Sequence, residues 1–231
     1  MRFVDLMADR KFVLVVSLPS NNLELAKAAL EGGADAVKVH CNVWHRASGH
    51  TFGTYEENKA FLKDLIRLCG NVPVGLVPGT SEAFITESEL RELEEMGLDF
   101  ISAYSQNLPS FVMDSRKITS AVAIGSDYTE STLDAVKDSD IEILECSVVR
   151  GEAYGQNLTC ADLLCYSSIA KRTGKPCMIP TQKKIRPGDV KHLYRAGCRA
   201  LMIGAVVTGQ EPDPEVFQET VQAFREAVDA L

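Results

Sequence analysis

The sequence predicts a (β/α)₈ barrel that forms one domain over residues 1–231. Three observations favour this fold: β-rich runs alternate with helix-favouring segments along the whole chain, eight such runs are present, and a long helical segment follows the last run. The competing fold is a doubly wound open sheet, but no Gly-x-Gly-x-x-Gly turn opens any predicted helix. A closed barrel is therefore the fold that the pattern favours.

Each predicted element follows from local composition. The predicted strands are the short apolar runs 12–18, 36–42, 74–78, 100–104, 118–124, 141–148, 177–181 and 200–204. The predicted helices have apolar residues at helical spacing and cover 22–30, 55–68, 87–96, 131–137, 161–173, 187–195 and 214–231. Several end at a glycine, such as Gly70, Gly97 and Gly174, because glycine reaches the left-handed conformation that closes a helix. Between Tyr104 and Lys117 we expect only a short or irregular fourth helix.

Composition excludes several classes of function. The formal net charge of −8 disfavours nucleic-acid binding, which requires a dense basic stripe. The apolar run at 12–18 is too short for a membrane span and no signal-cleavage pattern is present, so we expect a cytoplasmic protein without a membrane partner. Seven cysteines without a Cys-x-x-Cys pair indicate reduced thiols. We expect no metal and no other cofactor, and homo-oligomer formation stays open.

The strongest candidates for catalysis lie at the carboxyl ends of the second and sixth strands. Alternation turns Lys38 and His40 toward the barrel axis, and it does the same for Glu145 and Ser147. Side chains in one barrel layer come from alternate strands, so Lys38 and Glu145 are predicted to face one another as partners across the mouth. Ser102 or Tyr104 of the fourth strand is expected nearby.

This predicted pair admits three interpretations. A carboxylate could remove a proton beside a carbonyl while an ammonium stabilises the enolate. The same lysine, once deprotonated, could instead form a Schiff base. A structural ion pair that fills the barrel is the third interpretation.

Other strand ends supply candidate substrate contacts. The substrate-binding residues that we expect are Ser17, Asn42, Gly79, Tyr104, Ser147 and Thr181. A long loop follows the second strand, contains His45 and His50, and has a length typical of a lid or a binding loop. His40 is the histidine that we expect to be catalytic, whereas His45 and His50 are interpreted as solvated residues or lid contacts. Their spacing does not match a common metal-ligand motif.

The most informative stretch is residues 175–210, KPCMIPTQKKIRPGDVKHLYRAGCRALMIGAVVTGQ. It resembles the seventh and eighth units of the phosphate-binding (ribulose-phosphate-binding) TIM barrels, a superfamily of sugar-phosphate epimerases, decarboxylases, and histidine and tryptophan biosynthetic enzymes. The resemblance implies that backbone amides at Gly204, Ala205 and Val206 hold a phosphate. The usual glycine-rich turn after the seventh strand is missing, so either Lys183 and Lys184 replace some amide contacts or the anion differs. Plain surface charge at a helix start is the alternative interpretation of the two lysines.

Together these features predict an isomerase or epimerase that acts on a small, anionic, phosphorylated sugar-like substrate of carbohydrate metabolism. Lys38, Glu145 and His40 are its expected catalytic residues. A lyase or aldolase that uses a Schiff base at Lys38 is the enzymatic alternative. A barrel that binds an anion without catalysis is the third.

Overall fold

The computed structural model describes residues 2–231 and forms a closed barrel of parallel strands. Each strand pairs with the next along the chain, and the last closes the barrel by pairing with the first, with Val13 opposite Ala200. The barrel strands β1–β8 are Val13–Ser17, Ala36–His40, Val74–Val77, Phe100–Tyr104, Thr119–Ile124, Ile143–Cys146, Cys177–Pro180 and Ala200–Ile203. The predicted (β/α)₈ barrel is confirmed.

Helices surround the barrel. The α-helices α1–α9 of the described chain are Phe3–Asp9, Leu23–Glu31, Tyr55–Cys69, Glu87–Met96, Glu130–Lys137, Cys160–Thr173, Val190–Arg195, Ala205–Thr208 and Pro214–Asp229. Short 3₁₀ turns cover Ser110–Asp114, Gly151–Ala153 and Pro187–Asp189. The first of these turns is the short, irregular fourth helix that the sequence predicted.

Threonines begin four of the long helices. Thr54, Thr86, Thr129 and Thr159 each accept a hydrogen bond from the backbone N–H three residues later, which satisfies a donor that the helix itself leaves free. At the other end, Gly97 closes α4 with a φ of 93°. These local signals set the helix boundaries that place each βα loop.

The alternation of side chains across the barrel wall follows the predicted pattern. Val37 and Val39 of β2 pack in the cluster between the barrel and its helices, as do Leu144 and Cys146 of β6. Ala36 belongs to the separate cluster that fills the barrel interior. Lys38 lies two residues after Ala36, and Glu145 lies two residues after Ile143 of the same interior cluster, so both point into the upper part of the barrel.

A helix that the sequence analysis did not predict closes the lower end of the barrel. Phe3, Leu6 and Met7 of α1 are buried in the interior cluster. The ring of Phe3 stacks on that of Phe100 with 4.1 Å between centroids. Gly75 makes room for this stack, because a Cβ at that position would lie 2.1 Å from Cζ of Phe100.

The long loop after β2 contains a β-hairpin, where the sequence analysis expected no strands. Its strands are Val43–His45 and His50–Phe52, paired antiparallel. Asn42 leads into the hairpin with a φ of 54°, and its side-chain amide donates a hydrogen bond to the carbonyl of Pro78 at 3.0 Å. Asn42 thus fixes the base of the hairpin.

None of the helices in residues 2–231 has the length and apolar character needed to cross a bilayer.

Candidate active site

A cavity of about 530 Å³ opens at the carboxyl ends of the barrel strands. Its lining includes Lys38, Ser102, Glu145 and Met202, which come from β2, β4, β6 and β8. This even-numbered set is the arrangement expected for one layer of a (β/α)₈ barrel. The cavity is large enough for a small metabolite, and its lining brings a lysine and a glutamate into one space.

The carboxylate of Glu145 is held by two hydroxyl groups. Ser102 Oγ donates a hydrogen bond to Oε2, and Ser147 Oγ donates one to Oε1 at 2.8 Å. Only 6% of the Glu145 surface is exposed. The two bonds fix the orientation of the carboxylate, and each oxygen keeps a lone pair with which to accept a proton.

Lys38 lies in the same cavity without forming the predicted ion pair. No carboxylate oxygen of residues 2–231 lies within 4.0 Å of its ammonium nitrogen. β2 and β6 are opposite strands of an eight-stranded barrel, so Lys38 and Glu145 face each other across the cavity. Burial lowers the pKa of Lys38 below its ordinary value, and the charge of Glu145 only partly opposes that change.

His40 is a buried imidazole whose two ring nitrogens have no hydrogen-bond partner in the described chain. The ring is 1% exposed, borders the cavity, and packs against His45 and Phe52 with centroids 4.3 and 4.7 Å away. Burial, followed by the neighbouring His45 and Lys38, holds its pKa well below 6.5. His40 is therefore neutral at pH 7 and carries one donor and one acceptor for a ligand.

Most of the remaining predicted site residues also border the cavity. Those that do so are Ser17, Gly79, Tyr104, Ser147, Thr181, Gly204 and Ala205. Gly79 has a φ of 137°, and a Cβ there would meet the carbonyl oxygen of Ala83 at 1.9 Å, so only glycine fits this turn. Burial raises the pKa of the Tyr104 phenol, and the nearby Glu145 raises it further.

Four predicted site residues lie elsewhere. Lys183 is buried with its ammonium 3.6 Å from a carboxylate oxygen of Asp162, and Lys184 is exposed, so neither contributes to the lining. Asn42 and Val206 are likewise outside it.

The expected phosphate amides need a further correction. The N–H of Gly204 donates to Oγ1 of Thr181 at 2.9 Å and is thereby already satisfied within the protein. Of the five residues expected to bind phosphate, only Gly204 and Ala205 border the cavity.

Several polar and aromatic residues of the lining were not predicted as site residues. These are Trp44, Arg46, Tyr154 and Gln182. The length of the loop after β2 was the available signal for Trp44 and Arg46, and the alternation in Val-Trp-His and His-Thr-Phe on either side of a Gly-containing turn could have indicated the hairpin. Residues 2–231 contain no group of three or more His, Cys, Asp or Glu side chains that could hold a metal ion.

Comparison with known proteins identifies solved structures that share this fold. No protein-family model matches the chain, and no curated protein matches it. The structure is similar to that of thiamine phosphate pyrophosphorylase from Pyrococcus furiosus, with a TM-score of 0.69, 13% identity, and coverage of 96% of this chain and 98% of that one. The chain has the TIM-barrel fold.

Two further solved structures are similar over nearly their whole length. KGPDC from Streptococcus mutans gives a TM-score of 0.67 at 14% identity, with 96% of this chain and 99% of that one covered. Phosphoribosyl anthranilate isomerase from Thermus thermophilus gives a TM-score of 0.60 at 17% identity, with 94% of this chain and 98% of that one covered. The names of the first and third of these proteins each include a phosphorylated compound, and no single family is identified for this chain. At identities this low, the likeness shows the shared fold.

Proposed function

We propose that this chain is an isomerase or epimerase that moves a proton on a small phosphorylated, carbonyl-containing substrate. The observation that carries the proposal is the Glu145 carboxylate, held by Ser102 and Ser147 in a cavity that also contains Lys38. A carboxylate in a fixed orientation is suited to act as a general base, and a cation across the cavity is suited to stabilise an enolate.

The proposed reaction balances with these groups alone. Glu145 takes the proton from the carbon beside the carbonyl, and the electrons of the C–H bond move to the carbonyl oxygen, which becomes an enolate. Lys38, as an ammonium, stabilises that oxygen. In an isomerisation, neutral His40 donates its N–H proton to the enolate oxygen and accepts the proton of the neighbouring hydroxyl at its other ring nitrogen. Glu145 then returns its proton to the former carbonyl carbon, which leaves the carbonyl on the neighbouring carbon and restores both residues to their starting charge.

Isotope exchange tests this function. The protein is incubated in D₂O with a panel of phosphorylated aldoses and ketoses, and deuterium at the carbon beside the carbonyl is followed by NMR. We expect Glu145→Gln to lower the exchange rate by about 10²-fold to 10⁴-fold, the usual contribution of a general base. The matched control is Glu152→Gln, since Glu152 is exposed and lies outside the cavity lining. Unchanged exchange in Glu145→Gln would contradict the proposal.

A Schiff-base lyase or aldolase is the second candidate, because Lys38 is buried, has a lowered pKa and has no carboxylate at ion-pair distance among residues 2–231. In that reaction the neutral amine attacks the carbonyl carbon and water leaves. Borohydride in the presence of substrate would then reduce the imine to a stable secondary amine.

Mass spectrometry of the treated protein separates the two candidates. A mass increase on the peptide that contains Lys38, absent in Lys38→Met, supports the lyase. Lys183, which is equally buried but paired with Asp162, is the internal control and should stay unmodified. Binding of an anion without exchange or trapping for any tested compound would indicate a non-catalytic barrel.

A further inference from the structure

The cavity contains few positive charges with which to bind an anionic substrate. Lys38 and Arg46 are the lysine and arginine residues among the described residues of its lining. Burial lowers the pKa of both His40 and His45 below 6.5, so both rings are neutral at pH 7. Lys183 and Lys184 do not border the cavity. Lys38 and Arg46 are therefore the cationic side chains that the described lining offers to an anionic group.

Arg46 extends across the barrel mouth. It lies in the turn of the hairpin that follows β2, yet its Nη1 is 3.4 Å from the position of a Cβ on Gly151. Gly151 follows β6, which is on the opposite side of the barrel. The charge of Arg46 also acts on the phenols of Tyr104 and Tyr154, which border the same space. The guanidinium thus lies on the same side of the cavity as β6, the strand that contains Glu145.

The donors of this guanidinium are unused within the part of the chain that the structure describes. Arg46 has no hydrogen bond and no ion pair to any side chain of residues 2–231, whereas Arg2, Arg172 and Arg225 each hold a carboxylate. A guanidinium offers five N–H donors in a planar fork that matches a phosphate or a carboxylate. Arg46 combines free donors with a place on the cavity wall.

Contacts of the hairpin with the barrel hold Arg46 in this place. His45, the preceding residue, packs with a tilted ring against the buried ring of His40. His50 Nδ1 is hydrogen-bonded to the carbonyl of Pro19 at 2.9 Å, and Gln210 Nε2 donates to the carbonyl of Ala47 at 3.1 Å. The hairpin is therefore attached to two other loops of the mouth, and its turn is positioned before any ligand arrives.

We propose that Arg46 binds the anionic oxygen group of the substrate, a phosphate or a carboxylate, and is the residue that makes the site specific for an anionic compound. The inference rests on the proposed function and deepens it: the anionic end lies under the hairpin, and the reacting carbon lies below it, between Lys38 and Glu145. The anion would then bind at a different position from the turns after β7 and β8, where the resemblance of residues 175–210 placed the phosphate.

The chain carries its own reporter for this proposal. Trp44 is the single tryptophan of the sequence, is 60% exposed, and borders the cavity two residues before Arg46. Its fluorescence can be followed during titration with inorganic phosphate, glycerol 3-phosphate, glycerate and neutral glycerol, and calorimetry provides a second measurement. We expect an anion to bind and glycerol not to bind. A response to the phosphates alone or to glycerate alone identifies the anion, and both results support the proposal.

Variants assign the binding to Arg46. Arg46→Gln should weaken anion binding about 10-fold to 100-fold, as the loss of charge-assisted hydrogen bonds predicts. Arg46→Lys should restore only part of it, because an ammonium lacks the planar fork. Arg150→Gln is the matched control: it removes the same charge from an exposed residue beside Gly151 and should leave binding unchanged.

Three results would overturn the proposal: no anion binding to the wild-type protein by either method, equal binding in Arg46→Gln, or equal losses in Arg46→Gln and Arg150→Gln. An Ala205→Asp variant that abolishes binding while Arg46→Gln does not would place the anion at β8 and also overturn it.

Anion binding in Glu145→Gln separates this proposal from the proposed function. If that variant binds normally and no substrate exchanges deuterium, only the catalytic proposal fails.

Discussion

The lower and upper ends of the barrel interior differ in chemistry although the same strands build both. At the lower end, apolar side chains such as Val13, Phe100 and Met178 pack against α1. At the upper end, Lys38 and His40 are buried without an ion-pair or hydrogen-bond partner in residues 2–231. Burial of apolar surface stabilises a fold, whereas burial of an unpaired polar group lowers its stability. Side-chain truncations at the two ends should therefore have opposite effects.

The largest expected effect is at the lower end. Phe100→Ala removes the ring that stacks on Phe3 and leaves a cavity in the interior cluster, so the free energy of unfolding should fall by about 3–5 kcal/mol. Urea denaturation measures this change. Phe111→Ala, at a partly buried phenylalanine outside the barrel, is the control and should lower the free energy of unfolding by less. Equal losses would remove the distinction between the barrel interior and its periphery.

The next effect is at the upper end and depends on pH. Burial, with Lys38 and His50, lowers the pKa of His45 from 6.5 to about 4. Between these values the unfolded chain binds a proton that the folded chain does not, so acidification favours unfolding. Stability should fall from pH 6.5 to about pH 4, by at most about 3 kcal/mol from His45 alone. His40 acts in the same direction.

Denaturation curves over this pH range test the histidines. The double variant His40→Gln/His45→Gln should flatten the pH dependence between 6.5 and 4. His192→Gln, in α7 and outside the cavity lining, should retain it. A slope that survives in the double variant would mean that other groups cause the acid sensitivity.

A smaller effect comes from the contact between Gly75 and Phe100. Gly75→Ala places a methyl group 2.1 Å from a ring carbon, and overpacking of this kind costs about 1–3 kcal/mol. Phe100→Leu in the Gly75→Ala background should recover part of that loss, since the smaller side chain leaves room. A double-mutant cycle measures the coupling, and strictly additive effects would contradict the stated contact.

The smallest effect is at Lys38. Lys38→Met should leave stability at pH 7 unchanged or raise it by about 1 kcal/mol, because an unpaired buried ammonium is replaced by an apolar side chain. The folded pKa lies below 10.5, so the unfolded chain binds more protons between these values and wild-type stability rises with pH there. The advantage of the variant should therefore shrink as the pH approaches 10.5. Destabilisation by Lys38→Met would show that the amine has a partner.

Lys183→Met is the matched comparison. It removes a buried lysine that is paired with Asp162 and should lower stability, because the carboxylate then loses its partner.

The features of this molecule that depend on sequence periodicity, namely the strands and the faces to which their side chains point, could be predicted from the sequence. Alternation placed Lys38 and Glu145 inside the barrel, but it cannot give the distance between them, which depends on the barrel's width. Lys183 appeared to be available for an anion because its partner, Asp162, lies on a different element and is distant in sequence. The same limit hid Arg46, whose place opposite β2 depends on how the hairpin packs on His40.

The N-terminal helix escaped prediction for a related reason. Its seven residues are too few for a strong helical signal, and burial against Phe100 and Met178 stabilises it. Likewise, the hairpin strands are only three residues each and carry histidines, which weakens their β signal.

Closure of the barrel through β1 and β8 bears on how the chain folds during synthesis. β1 is translated before the other seven strands of the barrel, yet one of its two neighbours, Ala200–Ile203, is translated after all of them. Until then, one edge of β1 lacks its native pairing, a state in which nascent chains are prone to aggregation. An unpaired strand edge of this kind is a binding target for chaperones until β8 has been translated.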